Sequence, residues 1–241
     1  MEIRYQPNFT SKLSPIKPFS VNTKHGRVYI RELSQNELKK KGFIKNLTVM
    51  FAKNFASFTN NPEWLIINNP NEKEKAIYVI KNFTKYVKNK FLKPDDNLTL
   101  LAVFDKHKKL QGACMSFGFD EAPGCRKSTC YIESIGINKK YRGEGLGKIL
   151  INKTISSAKK NFTDVFLVGE NLAVKFYEKL GFKHLDPKDK LQKAVIDFIT
   201  LDRIDYPKYV SFLTKPLQPD KQRWYVNAAK QIDKINKNFQ E

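Results

Sequence analysis

The chain has 241 residues, of which 44 are Lys or Arg and 24 are Asp or Glu, so its formal net charge is +20 at pH 7. Hydrophobic residues make up 41% of the chain and aromatic residues 12%, which is enough apolar surface for a folded core and excludes a disordered polymer. No stretch approaches the ~18–20 consecutive apolar residues that a membrane-spanning helix needs, and the first twelve residues lack the apolar segment of a secretory signal. These features predict a folded, cytoplasmic protein without a membrane anchor.

Cysteine content and charge narrow the class of protein further. The three cysteines (Cys114, Cys125 and Cys130) form no Cys-x-x-Cys pair and have no His at zinc-ligand spacing, which predicts reduced thiols and no metal site. The basic charge raises the hypothesis of nucleic-acid binding, because Lys and Arg release counterions from phosphates. The excess is mostly Lys spread along the chain among many Asn residues, as A/T-rich coding produces, so nucleic acid is not the favoured partner.

The first elements in chain order are an arm, a strand and a helical insertion. Residues 1–25 show neither helical nor strand periodicity and are predicted to be a loosely held arm. Arg27–Glu32 alternates apolar and polar residues and is predicted to be a strand. Ser34 and Glu37 resemble a capping box at the start of a helical pattern that reaches about residue 59, and a second helical pattern runs from about residue 71 to Pro94.

The rest of the chain changes from strands to alternating strands and helices. We predict a hairpin of strands 98–105 and 110–119, then a strand at 131–138, a helix at 145–162, a strand at 165–168, a helix at 171–180 and a strand at 195–201. This order predicts an α/β (α+β) fold in which helices flank a mixed central sheet. We therefore predict one domain over residues 26–202 and a C-terminal extension over residues 203–241 that ends in an amphipathic helix.

A glycine-rich run follows the strand at 131–138. In Arg142–Lys148 (RGEGLGK) the backbone can approach a ligand closely, and a helix begins whose first amides have no internal partner. Such a helix start suits a phosphate. The run is not a P-loop, because Ile149 follows Lys148 and Arg142 stands at the place of the first Gly. It is not a Rossmann fingerprint either, because Lys148 stands where Gly or Ala is needed.

The run matches a different pattern, Arg/Gln-x-x-Gly-x-Gly/Ala after an apolar strand, here Ile135-Gly136-Ile137. In this respect the sequence resembles the GNAT superfamily of acetyl-CoA-dependent N-acetyltransferases. Residues 171–182 (NLAVKFYEKLGF) resemble the Asn…Ala…Phe-Tyr-x-Lys-x-Gly-Phe element of the same family. The resemblance follows the order of elements from about residue 26 to residue 201, and it is specific from residue 131 to residue 182.

The resemblance implies a single GNAT-like domain that uses acetyl-CoA as co-substrate and no metal. Amides of the apolar strand would hold the pantetheine arm, and amides of the glycine run would hold the pyrophosphate. The implied cofactor contacts are Ile135, Gly136, Ile137, Arg142, Gly143, Glu144, Gly145, Leu146, Gly147, Lys148 and Asn171. Asn171 fits a helix N-cap equally well, because its interval to Tyr177 is one residue shorter than the family pattern.

Two side chains are the catalytic candidates. Tyr177 stands where the family commonly places a hydroxyl that meets the departing thiolate; the alternative is an aromatic that packs on the sheet. Glu133 is the candidate base, because alternation along its strand places it on the face of Ile135 and Ile137; the alternative is a carboxylate paired with a lysine. Three carboxylates at strand ends are weaker candidates, each more typical of a turn: Asp105, Asp120 and Glu121.

The resemblance implies direct transfer of an acetyl group to an amine in a ternary complex, without a cysteine nucleophile. It does not identify the acceptor, and the oligomeric state stays open, with a homodimer among the alternatives. One rival is a catalytically silent regulator that binds acyl-CoA. A second rival is a polynucleotide-binding protein that uses the basic segment 208–237, with Tyr209, Phe212, Trp224 and Tyr225 available for stacking.

Overall fold

The computed structural model describes residues 13–38, 40, 42–54, 81, 85, 98–200 and 210–239. In these residues eight strands form one sheet: β1 (Phe19–Thr23), β2 (Gly26–Glu32), β3 (Thr99–Phe104), β4 (Leu110–Gly118), β5 (Thr129–Ile137), β6 (Asp164–Glu170), β7 (Lys183–His184) and β8 (Val210–Pro216). The helices are α1 (Gln35–Leu38), α2 (Phe43–Asn54), α3 (Leu146–Ala158), α4 (Val174–Glu178), α5 (Lys190–Ile199) and α6 (Trp224–Asn238), with 3-10 turns at Lys139–Tyr141 and Asn171–Ala173.

The strand order is β1-β2-β3-β4-β5-β6-β8-β7, and β5 and β6 are its one parallel pair. A parallel pair needs a crossover connection, which α3 supplies. The pairing is short: Thr129–Ile132 faces Asp164–Leu167, and beyond these residues the two strands separate. On their outer sides β5 stays paired with β4 and β6 with β8, so the sheet opens between them.

Helices cover both faces of the sheet. One face packs against α3; the other packs against α1 and α2 beside β3 and β4, and against α5 and α6 beside β6 and β8. The alternation of buried residues along β3 shows this division, because Leu101 and Val103 belong to the α3 cluster whereas Leu100 and Ala102 belong to the α1–α2 cluster. The predicted mixed sheet flanked by helices is confirmed.

The capping box at α1 is confirmed. The Glu37 carboxylate accepts hydrogen bonds from the Ser34 amide and hydroxyl, both at 3.1 Å, and the Glu37 amide donates to Ser34 Oγ at 3.4 Å. Arg31 lies 2.6 Å from the same carboxylate, and its hydrogen bond is the largest influence that lowers the pKa of Glu37 to about 2.

Gly42, with φ +82°, separates α1 from α2 within the predicted single helix. Residues 55–80 and most of the second predicted helix lie outside the described residues.

The predicted strand at 195–201 is wrong, because residues 190–199 form α5. The Asp189 carboxylate caps this helix by accepting from the Gln192 amide at 2.9 Å. The run Val195-Ile196-Asp197-Phe198-Ile199 is rich in β-branched and aromatic residues, but Leu191, Val195 and Phe198 share a helical period and pack in one cluster. The other predicted strands are present with slightly shifted ends.

Two segments outside the predicted range 26–202 belong to the sheet. In the predicted arm, β1 pairs with β2, and Leu13 is 3% exposed within the α3 cluster. In the predicted extension, β8 pairs with the whole of β6. The description of these segments as appendages is therefore wrong for residues 13–23 and 210–216, while the domain boundaries themselves stay a prediction.

The C-terminal helix is attached to the sheet at its first residue. Trp224 is fully buried and its Nε1 donates to Thr214 Oγ1 at 3.0 Å. Asp164 accepts from the Trp224 amide at 3.4 Å and lies 2.6 Å from Arg223; burial nevertheless raises the pKa of Asp164. Because Trp224 and Phe212 are core residues, they are not available to stack on nucleic-acid bases.

We expect Trp224→Ala to lower the free energy of unfolding by about 3–5 kcal/mol, because it removes a buried indole and leaves a cavity. Trp224→Phe keeps ring packing and loses the hydrogen bond to Thr214, at a cost of about 1–2 kcal/mol. Urea denaturation measures both. Phe239→Ala is the control, since that ring is 86% exposed; equal effects of Trp224→Ala and Phe239→Ala would contradict the packing role of α6.

Candidate active site

A cavity of about 120 Å³ lies where β5 and β6 separate. It contains side chains from β5, from the end of β6 and from α4. Its lining among the described residues consists of Ile132, Glu133, Ser134, Ile135, Val168, Glu170, Ala173 and Tyr177. The structure therefore brings together Glu133 and Tyr177, the two catalytic candidates, which lie 44 positions apart in the sequence.

A β-bulge places Glu133 at the opening of the sheet. Ser134 pairs with Met115 and Ile132 pairs with Ser116, so Glu133 is an extra residue on β5. Ile132 and Ile135 pack in the same α3 cluster, which an unbroken alternation would not allow. The argument that placed Glu133 on the face of Ile135 and Ile137 is therefore wrong, although Glu133 does line the cavity.

Tyr177 is 7% exposed and its ring fills the space above Gly169 of β6. A Cβ added to Gly169 would lie 3.1 Å from Tyr177 Cε2 and 3.1 Å from Leu213 Cδ1, so an alanine there would require these side chains to shift by a few tenths of an ångström. Burial is the main cause that raises the pKa of Tyr177, and the negative charge of Glu170 adds to it. The hydroxyl consequently keeps its proton across the physiological pH range and is a hydrogen-bond donor.

Glu170 is a cavity residue that the sequence analysis missed. It is the last residue of β6 and lines the cavity, whereas Asn171, the predicted cofactor contact, accepts a hydrogen bond from Ser211 Oγ on β8 at 3.1 Å. The sequence did contain a signal for Glu170, because the interval from Asn171 to Tyr177 is one residue shorter than in the family pattern. Counting the usual interval back from Tyr177 leads to Glu170.

The glycine run forms an open loop at the start of α3. Gly143 and Gly145 have φ of +80° and +77°, and a Cβ added to either would meet no heavy atom within 4 Å. Within the described residues, the six amides from 143 to 148 donate no hydrogen bond to the protein. Six free donors at the positive end of a 13-residue helix, beside open space, form an anion-binding concavity.

Hydrogen bonds to the β3–β4 hairpin hold the chain that enters this loop. The Asn138 amide donates to the Gln111 carbonyl at 2.7 Å, and Asn138 Nδ2 donates to Gln111 Oε1 at 3.0 Å. Gln111 Nε2 in turn donates to Asp105 Oδ2 at 2.8 Å. Burial acts against ionisation of Asp105, but hydrogen bonds from the Lys109 and His107 amides outweigh it and lower the pKa of Asp105. Asp105 is thus a turn residue that supports the loop.

Charged side chains fix the loop on its other sides. Lys24, in the β1–β2 turn, lies 3.4 Å from Glu144 Oε1, and its amide donates to Glu144 Oε2 at 3.3 Å. Arg142 Nε donates to the Ile137 carbonyl at 3.2 Å, which ties the loop to the end of β5. The Glu144 carboxylate therefore faces a lysine of the hairpin, and its contribution to the anion site is its amide.

The remaining sequence candidates lie apart from the cavity. Asp120 and Glu121 are exposed and do not line it. All three cysteines are buried; burial raises the pKa of Cys114 to about 12 and raises those of Cys125 and Cys130 still higher. Such thiols stay protonated and are poor nucleophiles.

The described part of the chain has neither a metal-binding cluster nor a membrane-spanning helix. No cluster of three or more His, Cys, Asp or Glu side chains there is arranged to hold a metal ion. Among the same residues, no helix has the length and apolar character to cross a membrane.

Comparison with known sequences identifies the family. The Acetyltransferase (GNAT) family matches residues 62–182, half of the chain, so the chain belongs to this family. A curated relative, the probable N-acetyltransferase san of Drosophila melanogaster, is 33% identical over 70 residues, which is 27% of this chain. The match spans only 38% of the length of that relative.

Comparison with solved structures supports the fold. The PaiA N-acetyltransferase of Thermoplasma acidophilum, solved in complex with coenzyme A, superposes with a TM-score of 0.50 at 15% identity, covering 78% of this chain and 98% of that one. A protein of Pyrococcus horikoshii gives the same TM-score and coverage at 16% identity. At these identities the likeness concerns the fold alone.

We expect two glycines of the loop to respond oppositely to alanine. Gly145→Ala lowers the free energy of unfolding by about 1 kcal/mol, because φ is +77° and alanine is strained there. Gly147→Ala is neutral or raises it by up to about 1 kcal/mol, because Gly147 is helical and its added Cβ meets Phe176 at an ordinary 3.4 Å. Urea denaturation of both variants tests this; equal destabilisation would contradict the described loop conformation.

Proposed function

We propose that the chain transfers an acetyl group from acetyl-CoA to an amine bound in the cavity between β5 and β6. The observation on which the proposal rests is the juxtaposition of Glu133 and Tyr177 in one cavity at the opening of the sheet. The structural neighbour that was solved with coenzyme A supports the choice of co-substrate. Bound acetyl-CoA would supply an activated thioester whose sulfur leaves as a thiolate.

The residues present fit this co-substrate. The free amides of residues 143–148 suit its pyrophosphate, with the charges of Arg142 and Lys148 nearby. Beyond Ile132, β5 has no strand partner on the β6 side among the described strands, so this edge of β5 is open to an extended ligand at residues 134–136. Backbone amides of the same strand are candidates for polarising the thioester carbonyl.

The two cavity side chains take complementary roles in the proposed reaction. A lysine-like amine has a pKa near 10 and attacks only when neutral, so Glu133 accepts its proton directly or through water. Tyr177 donates a hydrogen bond to the sulfur as it becomes anionic. Because its pKa is raised, Tyr177 stabilises the developing charge chiefly as a donor that retains its proton.

The proposal is tested by binding and turnover on the full chain. Calorimetry measures CoA affinity, and thiol release with a broad panel of amines, followed by mass detection of the acetylated product, measures transfer. Absence of CoA binding would refute the proposal. CoA binding without thiol release from any amine would instead support the silent regulator, and salt-dependent retardation of an oligonucleotide would support the polynucleotide-binding rival.

We expect Tyr177→Phe to lower kcat about 100-fold and to leave CoA affinity unchanged, because it removes one hydroxyl. The ratio of wild-type to variant kcat should stay constant from pH 7 to pH 10, since the raised pKa of Tyr177 keeps the donor protonated throughout. A ratio that falls across this range would contradict the donor role.

Gly169→Ala extends this test, because the new Cβ displaces the Tyr177 ring. It should lower kcat in the wild-type background and have no further effect in Tyr177→Phe. Gly118→Ala is the matched control: its Cβ lies 3.2 Å from the Arg126 carbonyl oxygen, so it crowds the backbone away from the cavity. Additive losses for Gly169→Ala and Tyr177→Phe would show that Gly169 does not act through the hydroxyl.

We expect Glu133→Gln to depress kcat/KM most at low pH. Without the base, attack depends on amine that is already neutral, and this fraction rises about tenfold per pH unit up to the amine pKa near 10. The deficit should therefore shrink as the pH approaches 10. Glu178→Gln, on an exposed face of α4, is the control; the same deficit for Glu133→Gln at every pH would place the base elsewhere.

A further inference from the structure

We propose that Glu170 selects an acceptor that has a second cationic group besides the amine that is acetylated. This inference rests on the proposed acetyltransfer and deepens it by naming the substrate class. Its basis is the position of Glu170 in the cavity next to Tyr177, together with the absence of a protein partner for its carboxylate in the described part of the chain.

Glu170 occupies an N-cap position, where a side chain usually caps the following helical turn, but the Glu170 side chain does not do so. Glu170 precedes the 3-10 turn Asn171–Ala173 with φ −61° and ψ 142°, as an N-cap does, yet its side chain makes no capping hydrogen bond. It lines the cavity instead. The charge of Glu170 also contributes to the raised pKa of Tyr177, although less than burial does, so the carboxylate lies within electrostatic reach of the hydroxyl.

Three half-buried or buried carboxylates among the described residues pair with a cation of the chain. Glu37 contacts Arg31, Glu144 contacts Lys24, and Asp164 contacts Arg223. Glu170 contacts no cation among the described residues, although the chain has 44 Lys and Arg. A carboxylate in a partly enclosed cavity is stabilised by a counter-charge, so a cationic ligand completes this site.

The reacting amine does not supply that charge during the reaction. It must be neutral to attack the thioester, so a carboxylate that binds the acceptor through the transition state gains only from a group that stays charged. A second ammonium, with a pKa near 10, or a guanidinium meets this requirement. Glu133 and Glu170 then have different roles. Glu133 accepts the proton of the attacking amine, and Glu170 forms an ion pair with the second cationic group.

Calorimetry on the full chain saturated with CoA tests the inference. The probes are 1,4-diaminobutane and 4-amino-1-butanol, which have equal length and differ in one terminal charge. The expected result is a Kd at least about tenfold lower for the diamine in the wild type. This preference should disappear in Glu170→Gln, persist in part in Glu170→Asp, and remain intact in Glu178→Gln, which removes a charge outside the cavity.

Two results would overturn the inference: equal Kd values for the two probes in the wild type, or a diamine preference that survives in Glu170→Gln. Thiol release from acetyl-CoA is measured on the same samples with both probes. A diamine preference in binding that depends on Glu170, without any thiol release, supports the inference about Glu170 and refutes the proposed acetyltransfer. If Glu170→Gln removes the diamine preference in kcat/KM by changing KM while kcat stays the same, Glu170 acts in binding the acceptor and not in proton transfer.

Discussion

The separation of β5 from β6 is the constraint on which the candidate site depends. Only four residue pairs join the two strands before each follows its other neighbour, β5 along β4 and β6 along β8. Backbone groups at an open strand edge need hydrogen-bond partners, so the opening is suited to an extended ligand. The bulge at Glu133 lies on one side of the opening, the end of β6 at Glu170 lies on the other, and α4 adds Tyr177 to the same cavity.

The charge distribution within the site contrasts with that of the whole chain. The net charge is +20, and among the described residues the amides of residues 143–148 add unpaired donors at the positive end of α3. The cavity instead contains two carboxylates, Glu133 and Glu170. In the proposed function, the loop with its free amides binds the phosphates of the co-substrate, and the cavity with its two carboxylates binds the amine.

The supports of the site come from distant parts of the chain. The β1–β2 turn contacts the loop through Lys24 and Glu144, and the β3–β4 hairpin contacts it through Gln111 and Asn138. On the far side, β8 fills the sheet beside β6 and α6 covers it through Trp224. The last thirty described residues therefore contribute a strand and a packed helix to the sheet, which their basic and proline-containing sequence did not indicate.

The sequence by itself determined the features that depend on local backbone chemistry. Glycines at 143 and 145 are required by positive φ, the Ser34–Glu37 capping box is a contact within one turn, and both could be predicted from short patterns. Only the tertiary structure decided the rest: that residues 190–199 are helical, that a bulge sets the position of Glu133, and that Glu170 and not Asn171 lines the cavity. These outcomes depend on packing and strand register between segments far apart in the chain, and periodicity within one segment contains no information about such contacts.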